Sequence, residues 1–125
     1  MSDFIYLVPK SASPSRALDT FPRPENVVSV QYISHELTAF CPVTHQPDFY
    51  TATIEYQPDQ LCIESKSLKL FLWSYRDEQA FAETLASNIA QAIYTACQPN
   101  KITVTLTQNV RGGLELTAVA EFAKP

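Results

Sequence analysis

Apolar and polar positions divide the chain into strands and helices before any single residue is singled out. From Val27 to Ile33, VVSVQYI puts Val28, Val30 and Tyr32 on one face and Ser29 and Gln31 on the other, the alternation of a strand. Tyr50 to Tyr56 alternates in the same way, and Pro58 stops it. After a short apolar Leu61-Cys62-Ile63, the stretch Ser67 to Tyr75 sets Leu68, Phe71, Leu72 and Tyr75 at helical spacing, which predicts a short helix. Beyond Asp77 the helical period is stronger. Phe81, Leu85, Ile89, Ile93 and Cys97 recur every four residues, Ala86, Ala92 and Ala96 widen the stripe, and Pro99-Asn100 ends it. Two more alternating strands follow, Ile102 to Thr107 and Leu114 to Phe122, with Gly112 and Gly113 where a hairpin needs permissive backbone angles.

The order strand, strand, helix, helix, strand, strand predicts an α+β domain in which helices cover one face of an antiparallel sheet. Such a sheet leaves edges that identical subunits could pair, so a homo-oligomer is expected. The domain spans residues 25–125. Ahead of it, residues 1–24 mix Pro9, Pro14, Pro22 and Pro24 with Ser11, Ser13 and Ser15, the composition of an extended arm.

Composition narrows the function classes. A chain of 125 residues makes one compact domain, and without a G-x-G-x-x-G run a dinucleotide would have to bind by other means. Nine Lys+Arg against 13 Asp+Glu give a formal charge of −4, which argues against a broad basic surface for DNA. No apolar run nears the roughly 18 residues of a membrane span, and MSDFIYLVPK lacks a signal layout, so a soluble cytoplasmic protein is expected. Cys41, Cys62 and Cys97 form no C-x-x-C, which predicts free thiols and no metal site.

Candidate chemistry starts in the loop FCPVTHQPDF, residues 40–49, where two prolines interrupt regular structure. Cys41 there is a candidate nucleophile, the alternative being a small buried hydrophobe, which is the default for Cys62 and Cys97. Asp48 is a candidate proton carrier for it, or else a turn residue behind Pro47. His35 and His45 flank Cys41, but with no third orienting group they read as solvated loop residues. Lys66 and Lys69 share a helix face, either as paired cations for a phosphate or as an ordinary solvated surface. Arg111 before the glycines could add a guanidinium or simply be exposed. Glu83, early in the long helix, could grip an amidine-like edge such as that of guanine, or merely favour the helix dipole.

Taken together, FCPVTHQPDF, ESKSLKLFLWSYR (residues 64–76), Phe81-Ala82-Glu83 and Arg111-Gly112-Gly113 resemble the NADPH-dependent 7-cyano-7-deazaguanine reductases of queuosine biosynthesis, in their short single-domain form. The likeness covers roughly residues 20–122. It implies a tunnelling fold, in which neighbouring subunits close a β-barrel with helices outside and active sites between subunits. It also implies that Cys41 attacks the nitrile to give a thioimide, that Asp48 transfers a proton to the nitrile nitrogen, and that Glu83, Glu64 and Ser65 bind the deazapurine. Lys66, Lys69 and Arg111 would contact the NADPH phosphates. One position departs: such reductases usually carry a histidine just before the helix glutamate, where this chain has Ala82. Two alternatives are an ammonia-using, amidine-forming relative and a purine-binding member of the fold without catalysis.

Overall fold

The computed structural model describes residues 13–125, so Pro9 and Ser11 of the predicted arm lie outside the described residues. Its elements are β1 (Thr20–Pro22), β2 (Val30–Phe40), β3 (Pro47–Gln57), β4 (Leu61–Ile63), α1 (Ser65–Trp73), α2 (Ala82–Cys97), β5 (Lys101–Arg111) and β6 (Leu114–Ala123). The four long strands form one antiparallel sheet in the order β2-β3-β5-β6, and β1 pairs with β4 in a separate ribbon. The α+β expectation therefore holds, with two short strands added. Among the described residues no helix is long and apolar enough to cross a membrane.

One face of the sheet carries the core. Ile54, Tyr56, Ile102, Val104 and Leu106 meet Leu85, Ile89 and Ile93 of α2, with Leu68 and Phe71 of α1 in the same cluster. Each such side chain contributes about 1.5–3 kcal/mol when removed from water. The alternating strand pattern and the four-residue helical pattern both arise because each element buries one face against the other. On the opposite face Ile33, Phe49 and Val119 are exposed, and among the described residues β2 and β6 are the sheet's edge strands.

Several boundaries differ from the sequence expectation: the expected loop 40–49 shrinks, since Phe40 belongs to β2 and Pro47–Phe49 to β3, β5 runs on to Arg111, and three further differences have a physical cause in the fold. First, β2 runs on past Ile33 to Phe40. Its register with β3 shifts between Ser34 and Leu37, so the inward phase moves from Val30 and Tyr32 to Leu37 and Ala39. A bulge of this kind hides the second half of a strand from any fixed period of two. Second, α2 starts at Ala82 rather than near Asp77, because Glu78 to Ala80 pair with the end of β2. The Phe40 amide donates to the Glu78 carbonyl at 2.8 Å and the Ala80 amide to the Phe40 carbonyl at 3.1 Å. Third, α1 begins at Ser65 because Glu64 caps it, accepting from the Lys66 and Ser67 amides at 2.8 Å each.

The described end of the arm is tied to the domain. The Ser15 amide donates to the Leu70 carbonyl, the Asp19 amide donates to Ser67 Oγ at 2.9 Å, and the Arg16 guanidinium sits 3.8 Å over the Tyr75 ring.

Candidate active site

Cys41 is the first residue after β2, and its loop is closed tightly. Its amide donates to the Gln46 carbonyl at 2.8 Å, its carbonyl accepts from the His45 amide at 2.9 Å, and His45 takes a left-handed φ of 62° to complete the turn. The loop sets the Thr44 side chain and the Thr44 and Val43 backbone around the sulfur as hydrogen-bonding neighbours. These hydrogen bonds pull the Cys41 pKa below the ordinary thiol value, against the opposing effects of burial and the Asp48 charge. The thiol is half-exposed, whereas Cys62 and Cys97 are buried, and burial pushes the Cys97 thiol up to about 11. Of the three cysteines, Cys41 alone combines access with a stabilised thiolate.

Asp48 is the second residue of β3, opposite Ala39, and only 6% exposed. The strand's phase accounts for this: Asp48, Tyr50, Ala52, Ile54 and Tyr56 all point to the buried face. Its carboxylate is paired rather than orphaned. Arg111, the last residue of β5, donates from Nη1 to Asp48 Oδ1 at 2.7 Å and to the Pro47 carbonyl at 3.0 Å, and from Nη2 to Gln46 Oε1 at 2.6 Å.

Tyr50 sits in the middle of this group. Its hydroxyl is buried without a hydrogen-bond partner among the described residues. Its pKa is pushed up to about 12, by burial first and then by the charges of Asp48, Cys41 and Glu83 in that order. The same phenol thus feels the three groups that the resemblance assigns to one site. Glu83 comes to this end through the pairing of Phe40 with the segment before α2, and lies exposed in the first turn of that helix. Ala82 beside it is 2% exposed, packed in the core.

The remaining candidates gather elsewhere in the subunit. Ser65 and Lys69 line an open groove of about 420 Å³ between β2 and α1, with Tyr32, Ser34, His35 and Trp73. Lys66 stands on the first turn of the same helix, and among the described residues neither lysine is in an ion pair. Glu64 has both carboxylate oxygens committed to the cap, and those amides hold its pKa below the usual carboxylate value. Arg111 is bonded at the Cys41 end and does not join the two lysines within the subunit. Both histidines have polar neighbours: Gln79 Nε2 lies 3.2 Å from His45 Nδ1, and Thr51 Oγ1 lies 3.5 Å from Nδ1 of His35, which stands in β2 rather than in a loop. No three His, Cys, Asp or Glu among the described residues are grouped to hold a metal ion.

Thr44, Gln46 and Tyr50 were not among the residues singled out from sequence. Tyr50 had a signal: it shares the inward phase of β3 with Asp48, two residues away. Thr44 and Gln46 had none, because their roles depend on how the loop closes.

Comparison with known proteins places this geometry in context. The model of the family described as QueF-like protein matches residues 47–125. A protein of Nitrosococcus oceani named NADPH-dependent 7-cyano-7-deazaguanine reductase is 44% identical over 116 residues, spanning 91% of this chain and 90% of its own. Proteins of the same name from Alkalilimnicola ehrlichii and Syntrophus aciditrophicus are also 44% identical, over 92% and 95% of this chain and 91% and 86% of their own. Among solved structures, the apo form of the archaeosine synthase QueF-Like superposes with a TM-score of 0.73 at 23% identity, covering 78% of this chain and 96% of that one, a likeness of fold.

Proposed function

Since the chain belongs to the QueF-like family of NADPH-dependent 7-cyano-7-deazaguanine reductases, we propose that it reduces the nitrile of 7-cyano-7-deazaguanine to the aminomethyl group, a step of queuosine tRNA modification, through a covalent adduct on Cys41. Most of the weight rests on one arrangement: a half-exposed thiol of lowered pKa at the end of β2, beside a buried carboxyl at the start of β3.

The Cys41 sulfur adds to the nitrile carbon, forming the S–C bond as one C–N π bond breaks. The proton lost from the thiol is the one the nitrogen needs, and Asp48 carries it across. No net proton is consumed, and the product is a neutral thioimide. Without that carrier an anionic imide nitrogen would have to form, which general acid catalysis avoids. The amides of Val43 and Thr44 and the Thr44 hydroxyl stabilise the sulfur anion that starts the step and that leaves when the C–S bond breaks later. Glu83 is the group to grip the 2-amino and ring N–H edge of the deazapurine at a distance from the reacting end.

NADPH, when bound, supplies hydride, one per molecule, so two molecules in turn provide the two hydrides that convert a nitrile into an amine. The residues suit it in one respect the fold makes visible: Lys69 borders an open groove, with Lys66 three residues earlier on the same helix, so two cations uncommitted among the described residues can meet its phosphates. Arg111 has a different set of partners, at the Cys41 end. Ser65 lines the same groove, whereas Glu64 contributes by capping the helix that carries these residues. The two groups of residues meet in a homo-oligomer. The open edges β2 and β6 are where neighbouring subunits would pair in a tunnelling-fold barrel, with active sites between subunits as the resemblance implies.

The test is the intact mass of the protein after exposure to 7-cyano-7-deazaguanine without NADPH. A gain equal to the whole nitrile compound is expected, lost in Cys41→Ala, together with nitrile-dependent NADPH oxidation by the wild type. An unmodified wild-type mass, or wild-type turnover by Cys41→Ala, would remove Cys41 as the nucleophile.

A further inference from the structure

Arg111 closes β5 immediately before Gly112 and Gly113, whose φ values of 60° and 79° make the tight turn into β6. Space is open around both glycines, so it is the left-handed backbone that requires them. The β5–β6 register shifts between Gln108 and Arg111, and the β3–β5 ladder ends at Tyr50 opposite Gln108. Beyond that point no backbone ladder joins β5 to the start of β3. The Arg111 side chain spans the gap instead, as a bulge that re-aims a side chain allows.

Its three hydrogen bonds all fall on the consecutive residues Gln46, Pro47 and Asp48, two on the run that closes the Cys41 loop and one on the carboxyl itself. The Asp48 side chain is 8% exposed and that of Arg111 38%, so the ion pair reaches inward from the rim. The planar fork holds acceptors on three consecutive residues at once, one of them a carboxylate oxygen, which a single point charge does not do. With Oδ1 held by Arg111, Oδ2 is left for proton transfer.

We propose that Arg111 is a positioning residue for the covalent step, clamping the Asp48 carboxyl and the Gln46–Pro47 end of the nucleophile loop so that Oδ2 faces the thiol and the nitrile. The inference rests on the assignment of Cys41 and Asp48 made above. It gives Arg111 a task completed before NADPH is needed, in place of the phosphate contact that the family resemblance implies.

The two roles separate in a single-turnover experiment. Wild type, Arg111→Gln, Arg111→Lys and Lys69→Ala are mixed with 7-cyano-7-deazaguanine without NADPH, and adduct formation is followed by intact mass. The KM for NADPH is then measured in turnover. Losing one charge-assisted hydrogen bond to the proton carrier slows Arg111→Gln adduct formation by roughly tenfold or more, with the NADPH KM little changed. Arg111→Lys keeps the charge and recovers only part of the rate, whereas Lys69→Ala forms the adduct normally and raises the NADPH KM. In Asp48→Asn, adding Arg111→Gln costs nothing further, because the group it positions is already gone. Normal adduct formation in both folded Arg111 variants with a raised NADPH KM would overturn the inference in favour of the phosphate contact. So would a further full loss in the double variant. Absence of any adduct in the wild type would sink the Cys41 assignment itself, and the inference with it. If Arg111→Gln does not fold, Arg111→Lys decides by the same two readouts.

Discussion

The Cys41 end of the sheet and the start of α1 hold the same number of candidate groups but are built in opposite ways. At the first, Cys41, Asp48, Glu83 and Arg111 come from four different parts of the chain, and Arg111 and Asp48 are 63 residues apart in sequence. At the second, Glu64, Ser65, Lys66 and Lys69 lie within six consecutive residues on one capped helix start. The first is tied together within the subunit by cross-strand bonds. The second presents lysines with no ion-pair partner among the described residues, beside an open groove. On the proposed roles, the groups that would move a proton over a short distance are fixed by the sheet, while the groups that would receive a mobile anion are left uncommitted. If that contrast is right, damage at the first end abolishes chemistry, and damage at the second weakens binding.

The largest effect is expected from Asp48→Asn, which keeps the shape and removes the proton carrier. Adduct formation at Cys41 should fall by about 10²–10⁴-fold, the usual range for a general acid–base group. The NADPH KM should stay near that of the wild type. Adduct formation within a few-fold of wild type would show that solvent supplies the proton, and the contrast between the ends would lose its basis.

Lys66→Ala and Lys69→Ala test the other end. Each removes one cation from a solvated site, where an exposed pair contributes only about 0.2–1 kcal/mol. A rise of the NADPH KM by a few-fold per lysine is expected, steeper at low salt, with adduct formation untouched. A lysine variant that failed to form the adduct would mean that the two ends act as one unit.

How much of this was legible in the sequence follows the same division. The α1 end is local, so ESKSLK shows its paired lysines by spacing alone, while the Glu64 cap is not marked there because the apolar helical spacing begins only at Leu68. The four-residue period likewise marks α2, and alternation marks β3, β5 and β6, because each buries one face. The second half of β2 was hidden by the bulge between Ser34 and Leu37, which reverses the inward phase across a polar Ser34-His35-Glu36. Arg111 looked like a hairpin arginine because its partners depend on strand register, which no local pattern carries. The burial of Asp48 is legible in the sequence. Extending the inward phase Tyr56, Ile54, Ala52, Tyr50 two residues back lands on a carboxyl, and a carboxyl on the core face of a strand needs a partner.

Glu64 sharpens the contrast from the stability side. Its two cap bonds contribute about 1 kcal/mol, so Glu64→Ala should lower unfolding stability by that amount and leave adduct formation nearly unchanged. The sign with pH follows from its lowered pKa. In the unfolded chain the carboxyl titrates near its ordinary 4.5, and in the folded protein lower, because the Lys66 and Ser67 amides bind the charged form first. The stabilisation is therefore complete above pH 4.5 and is lost as the pH falls through the folded value. Wild type and Glu64→Ala should converge in urea titrations at acidic pH and separate near neutrality. A gap that stayed constant down to strongly acidic pH would mean that the cap does not depend on the charged carboxylate.

The smallest effect concerns the one group at the crowded end that the bonds leave out. Tyr50 is 2% exposed, and its hydroxyl has no partner among the described residues, although Asp48, Cys41 and Glu83 all act on it. With a pKa pushed up to about 12, it stays a neutral phenol at any working pH and takes no part as an ionised base. A buried donor without an acceptor costs about 1–3 kcal/mol, so Tyr50→Phe should leave the protein as stable or stabilise it by up to about 1 kcal/mol in urea unfolding. Most buried tyrosines lose stability on the same change, which makes the sign informative. A loss of 1 kcal/mol or more would show that the hydroxyl has found a partner in solution, with Asp48 Oδ2 the nearest in chemistry. The carboxyl would then be held from both sides, by Arg111 and by Tyr50, and the proton it carries would have to leave through the phenol.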